Sequence, residues 1–164
     1  MRDNPAPTVN AIYEEIIHGE TLVRSAPGTR HEKICAFLHE QISAGLAPNA
    51  PMRLLPPRSV VQLAAGVMLR PDLALVTATT GKIWLAAEIV DSNDHKPDTV
   101  LKKSLYEDFS LPRLWMIDPR YNNVEFYHGT PYGLALKGIM AGRERFQEPL
   151  LPEFKLTIDE LFAV

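Results

Sequence analysis

The chain has a single cysteine, Cys35. No internal disulfide and no cysteine-based zinc cluster can form, and such a composition suits a reducing cytosol. Cys35 sits among apolar neighbours at helical spacing, the setting of an inert buried thiol rather than a nucleophile. No stretch approaches the ~18 apolar residues of a membrane span, and Met1-Arg2-Asp3-Asn4-Pro5 is not a basic start leading into an apolar run. A cytoplasmic protein with no membrane partner is expected. Also missing are a Gly-rich phosphate loop ending in Lys-Ser/Thr, a dinucleotide-type glycine pattern after a strand, and a Gly-x-Ser-x-Gly elbow. His31-Glu32 has no second histidine at zinc-protease spacing. Neither internal repeats nor low-complexity segments occur. Acidic residues outnumber basic ones by 20 to 17, a net charge of −3, so contact with nucleic acid would need a local basic face.

What is present fits one soluble domain: 164 residues, 46% apolar and 23% charged. Residues 1–10 read as a loose tail and 11–164 as the domain. Tyr13 to Val23 admits a helix lined by Ile12, Ile16 and Ile17, or an element turning at His18-Gly19 as a hairpin. Thr29 followed by Glu32 reads as a capping box opening a helix whose Ile34, Leu38 and Ile42 form an apolar face and whose end falls at Gly45. Gln41 to Pro71 contains no acid, and Arg53, Arg58 and Arg70 punctuate this Pro-rich, loop-like stretch. They form a local positive zone, a candidate for backbone phosphate contact or simply a solubilising loop.

Val67–Leu69 and Leu73–Val76 read as short strands flanking Arg70-Pro71-Asp72, where Pro71 demands an edge, a bulge or a strand start. Ile83 to Val90 is nearly all apolar, as a strand covered on both faces should be, and the polar run Asp91-Ser92-Asn93-Asp94 bounds it. Leu101, Leu105 and Phe109 recur at helical spacing before Pro112, Leu114–Ile117 reads as a buried strand, and a meander follows. Thr157-Ile158-Asp159-Glu160 is a second capping box opening a short terminal helix. Helices among strands with hairpin-length late connections predict an α/β (α+β) domain with a mixed central sheet flanked by helices.

Two carboxylates stand out. Asp72 begins a strand, and Glu88 lies within an apolar run where an unpaired carboxylate is costly to bury. On neighbouring strands both could converge on magnesium, which takes one or two protein carboxylates and leaves positions open for substrate phosphate. Asp98, Lys102 and Tyr106 share one helix face at i, i+4 spacing, beside the apolar stripe. Lys102 could there orient a water or steady charge growing on phosphorus oxygens. Each residue also has a plainer explanation: a turn acid after proline for Asp72, a partly buried salt bridge for Glu88, and a surface pair with Asp98 for Lys102.

Arg70-Pro71-Asp72, Ala87-Glu88-Ile89-Val90, Asp98 with Lys102 and Tyr106, and Leu114 through Pro119, in that order and spacing, resemble the Uma-two family of restriction-endonuclease-like proteins in the PD-(D/E)xK nuclease superfamily. Gly19-Glu20, Arg30-His31 and Leu151-Pro152 extend the resemblance from about Tyr13 to the C-terminus. It implies a restriction endonuclease-like core in which Asp72 and Glu88 hold Mg2+ or Mn2+. Lys102 stands for a lysine moved from the strand, where Val90 occupies its usual place, onto the next helix. Glu20 matches an accessory acid near the site, and His31 a frequent histidine that either contacts phosphate or serves the helix start. The implied function is metal-dependent hydrolysis of DNA phosphodiester bonds. The alternatives are a nuclease-fold module that binds nucleic acid or protein without turnover, and an RNA-directed nuclease. A homodimer is expected by analogy, since a duplex offers two scissile strands. Two departures from the family pattern are His18 in place of an Asp, and Asp91-Ser92-Asn93 in place of a Ser-Pro-Ser run.

Overall fold

The computed structural model describes residues 12–91 and 96–164; the proposed tail and most of the polar run after Val90 lie outside them. The chain opens with a hairpin of β1 (Tyr13–Ile17) and β2 (Glu20–Arg24). Its turn residues His18 and Gly19 have φ of +50° and +79°. Positive φ at both central positions matches the right-handed twist of the strands, so the hairpin alternative holds over the helix. Helix α1 (Thr29–Gly45) buries Ile34, Leu38 and Ile42, as the spacing predicts. Its start departs from expectation: Gly28 is the cap residue and no side chain caps the helix. The Glu32 carboxylate has a different task, described below.

The stretch read as loop-like contains β3 (Met52–Leu54) and β4 (Val61–Ala64) besides β5 (Val67–Leu69), which forms where a short strand is expected. Alternation in β4 is clear, with Val61 and Leu63 buried and Gln62 and Ala64 exposed, but four residues bounded by Ser and Gly give little signal. Then follow β6 (Leu73–Thr77), β7 (Ile83–Ile89), a π-helical turn (Pro97–Lys102), α2 (Lys103–Phe109), β8 (Arg113–Asp118), β9 (Asn123–Thr130), β10 (Gly133–Ala141), β11 (Arg145–Glu148), β12 (Leu151–Thr157) and α3 (Ile158–Phe162). Thr157 caps α3 as expected, its Oγ1 accepting from the Glu160 N–H at 3.1 Å.

A six-stranded sheet runs β10-β9-β8-β7-β6-β3, and a four-stranded sheet runs β2-β1-β5-β4. Only β7 and β8 of the six pair in parallel, which makes the sheet mixed. A parallel pair needs a crossover, and the π-turn with α2 supplies it. One face of the large sheet, with Leu73, Leu85, Ile89, Trp115 and Phe126, packs on α1, the β11–β12 hairpin and α3. The other, with Ala74, Ala86, Val90, Leu114 and Met116, meets Leu105 and Tyr106 of α2 and the inward residues of the small sheet. The chain leaves the small sheet at Leu69 and enters the large one at Leu73, so Arg70-Pro71-Asp72 is the passage between them. Pro71, which has no N–H to give a ladder, sits where neither sheet asks for one.

Candidate functional site

The passage, the hairpin and the crossover meet over the middle of the large sheet. Ladder pairing of β6 with β7 ends at Leu73↔Ala87, so the next step sets Asp72 beside Glu88 and Ile89. Asp72 Oδ2 accepts the Ile89 N–H at 2.8 Å. His31 Nε2 lies 3.3 Å from the same oxygen and Arg58 NH1 lies 3.4 Å from Oδ1. Arg58 also donates to Glu32 Oε2 at 2.7 Å, and His31 Nδ1 lies 3.2 Å from Glu32 Oε1. The first turn of α1 thus holds Asp72 through a histidine and, by way of Glu32, an arginine.

Glu88 follows Ala86 on the inward face of β7, and the crossover lies above it. Lys102 Nζ stands 2.6 Å from Glu88 Oε1 and 2.9 Å from Glu15 Oε2, and the Tyr106 hydroxyl donates to Glu88 Oε1 at 2.6 Å. Glu15 arrives from β1, alternating with Tyr13 and Ile17. Its Oε1 accepts from Arg24 at 2.7 Å and its Oε2 from the Arg70 backbone N–H at 2.7 Å. Arg24 reaches on to Asp98 Oδ1 at 3.0 Å. Lys102 is 0% exposed, Glu15 and Glu88 1%.

Among the described residues this network sets Glu15, Glu32, Asp72, Glu88 and Asp98 against Arg24, His31, Arg58 and Lys102, one carboxylate more than cations. Burial and the neighbouring acids Asp98, Asp72 and Glu15 push the Glu88 carboxyl up to about 8 despite Lys102. Burial likewise lifts Asp98 to about 6 against the pull of Lys102 and Arg24. For Asp72 burial also favours the neutral acid, but His31, Lys102 and the Ile89 N–H hold it well below the usual carboxylate range. Burial opposes charge on His31, yet Asp72 and Glu32 raise it to about 10. Lys102 is raised by Glu15 and Glu88 against its own burial. The site therefore favours the ionised form of Asp72 and the charged forms of His31 and Lys102, and disfavours charge on Glu88.

A family model described as "Putative restriction endonuclease", Uma2, matches residues 10–159. The chain belongs to the Uma2 family. No curated protein matches it in sequence. Among solved structures, it is similar to the crystal structure of a "putative nuclease belonging to DUF820" from Anabaena variabilis ATCC 29413, at 16% identity and a TM-score of 0.75, over 92% of this chain and 89% of that one. At that identity the likeness is one of fold.

In this Uma2 chain the structure brings Asp72, Glu88 and Lys102 together, with His31 joined to Asp72. It does not bring Glu20, which starts β2 at the hairpin turn and is exposed. The hairpin's contribution is Glu15, with Arg24 opposite Tyr13 in the register. The local sequence Tyr-Glu-Glu-Ile-Ile leaves open which glutamate faces inward; only the parity of Ile17 could have pointed to Glu15. The basic zone divides. Arg58 is buried and committed to Asp72 and Glu32, Arg70 donates to the Arg58 carbonyl at 3.0 Å, and Arg53 is exposed on β3. His31 is buried as well, its Nε2 also 3.0 Å from the Ile89 carbonyl, so Arg58 and His31 face acids rather than solvent. Asp98, Lys102 and Tyr106 are not the rim of their helix but its buried side, while Leu101 is exposed. Spacing in the π-helical turn differs from i, i+4, and that rotates the polar residues inward.

Proposed function

We propose that this Uma2 protein is a metal-dependent nuclease that hydrolyses DNA phosphodiester bonds, with Asp72 and Glu88 as the magnesium-binding acids and Lys102 as the positioned amine. The observation that carries this is the 2.6 Å approach of Lys102, from the crossover, to Glu88, next to the residue whose N–H binds Asp72. The donor set suits the ion. Among the described residues no three His, Cys, Asp or Glu side chains are gathered as a metal cage, which speaks against zinc, while magnesium needs one or two hard carboxylates and water. The one carboxylate in excess of the cations is what a bound cation would offset.

When bound, magnesium supplies Lewis-acid polarisation of the scissile phosphate and a water of lowered pKa. The chain's own residues prepare for this. His31 and the Ile89 N–H fix the Asp72 carboxylate in one rotamer and keep it ionised, with Arg58 facing its other oxygen. Both contacts to Glu88 fall on Oε1. Lys102, held charged, can orient the attacking water and face the negative charge that grows on phosphorus oxygens. Manganese would serve in place of magnesium. Arg53, exposed, and Arg70 are the residues of the basic zone offered to backbone phosphate, and Glu20 is placed to act at most from the margin. A duplex substrate would suit a homodimer.

Purified protein should cut DNA with magnesium and not with a chelator, and Asp72→Ala should abolish cutting; cutting that survives this substitution rejects the assignment. RNA in the same assay separates the two nucleic acids. A module that binds without turnover is favoured by one feature, the near-complete burial and mutual neutralisation of the acids and the amine. Calorimetric titration with manganese decides: binding that vanishes in Glu88→Ala supports the nuclease, and no binding supports the module.

A further inference from the structure

One buried acid has no part in the chemistry proposed above. Glu15 is anchored three ways: by Arg24 on Oε1, and by the Arg70 N–H and Lys102 Nζ on Oε2. Neutralising Arg24 does not require all three, since Arg24 already has Asp98. What Glu15 adds is a second negative partner for Lys102, on a different strand from Glu88 and tied to the passage that presents Asp72.

That partner matters because Glu88 cannot serve two cations equally. A divalent ion held by Asp72 and Glu88 would set two positive charges against the ammonium that now rests on Glu88 Oε1, in an interior where such repulsion is weakly screened. With Glu88 as its sole counter-charge, Lys102 would be driven off or left unpaired in a place closed to water. We propose that Glu15 is the positioning residue for Lys102, holding the ammonium over the site while Glu88 turns to the metal. This rests on the nuclease reading, and it assigns to β1 an acid that Gly19-Glu20 does not supply.

Nitrogen-15 NMR of the lysine side chains reads the anchor directly, because an ammonium shut away from water gives a slowly exchanging signal. The Lys102 signal should persist in the wild type at saturating magnesium and be lost on adding magnesium to Glu15→Gln, while calorimetry gives that variant a magnesium affinity close to wild type. Single-turnover cleavage should fall by about 100-fold in Glu15→Gln, as for a displaced catalytic group, with KM little changed. Glu15→Asp, which keeps the charge, should recover part of the rate. Adding Glu15→Gln to Lys102→Met should cost nothing further, since both act through one amine.

Loss of the wild-type signal on adding magnesium overturns the proposal, as does a double variant whose loss is the product of the two single losses. If Glu15→Gln does not fold, Glu15→Asp alone decides: a weakened signal and a slower rate support the anchor, and wild-type behaviour in both overturns it. If the wild type takes up no magnesium by calorimetry, the nuclease reading fails and takes this proposal with it, a result distinct from signal loss in a protein that does bind the ion.

Discussion

Both faces of the six-stranded sheet bury aliphatic residues, but they differ in what is added to them. On one, Trp115 stacks on Phe154 at 5.7 Å and meets Phe126 and Phe146 edge-on, with Phe146 at 4.5 Å. On the other, at the same depth, lie Glu15, Glu88, Asp98 and Lys102. Ring contacts and apolar burial stabilise wherever the shapes fit. Buried ion pairs gain little net energy, because desolvation consumes most of the attraction. The aromatic cluster, with the aliphatic residues of both faces, therefore stabilises the fold. The charged face is retained at some expense to stability, as a site is.

Substitutions can break this contrast. The largest effect belongs to the charged face and to activity: Asp72→Ala should bring magnesium-dependent cleavage of DNA to background in a gel assay, while the protein stays folded by circular dichroism. Next come two stability losses of similar size and different origin. Trp115→Ala should cost about 3–5 kcal/mol in urea unfolding through the cavity it leaves. Lys102→Ala should cost about the same by leaving buried Glu88 without its cation, with Glu15 reduced to Arg24. The faces then part ways. Removing Lys102 and both of its acidic partners at once, with Lys102→Met, Glu15→Gln and Glu88→Gln, should restore most of the lost stability, whereas no such exchange of partners rescues Trp115→Ala. If the triple variant is as unstable as Lys102→Ala, the charged face stabilises the fold and the contrast fails.

A smaller effect is one of pH. His31 is raised from 6.5 to about 10 in the folded chain, so its contribution is fully present below pH 6.5 and is lost as the pH climbs toward 10. Glu88, raised to about 8, acts in the same direction: the fold binds its proton when the unfolded chain does not, so stability declines as pH rises from the unfolded carboxyl value through about 8. With a chelator present, the urea midpoint of the wild type should fall between pH 6 and 10, and His31→Gln should flatten the upper part of that fall. A midpoint that rises over this range would reverse the sign. The smallest expected change lies away from the charged network: Thr157→Ala should cost about 1 kcal/mol through loss of its bond to the Glu160 N–H, and leave cleavage untouched.

The aromatic side was the more legible in the sequence. Ile34, Leu38 and Ile42 announce α1, and the run from Ile83 to Ile89 announces a doubly covered strand, because burial of apolar residues at a fixed period is a local signal. Asp72, Glu88 and Lys102 could be picked out since each breaks such a pattern. Glu15 and Arg24 could not, for two reasons: the hairpin's parity is ambiguous beside Glu14, and their partners lie far along the chain, Asp98 being 74 residues from Arg24. The same reason separates the two capping boxes. Thr157 caps its helix as the local pattern says, while Glu32 is drawn away from Thr29 by Arg58 and His31, which only the tertiary fold delivers. Arg58 shows the converse error, since a run without acids looks basic and solvent-facing until the acids arrive from elsewhere.

The wide turn at Pro97–Lys102 makes this part of the molecule a length gauge. Its extra residue sets the azimuth at which the following helix faces the sheet, and one residue in an α-helix corresponds to about 100° of rotation. A chain shortened by one position between Pro97 and Leu101 should relax to ordinary helical pitch, keep its hydrophobic half intact, and swing its amine off target. Here the count of residues is itself part of the chemistry.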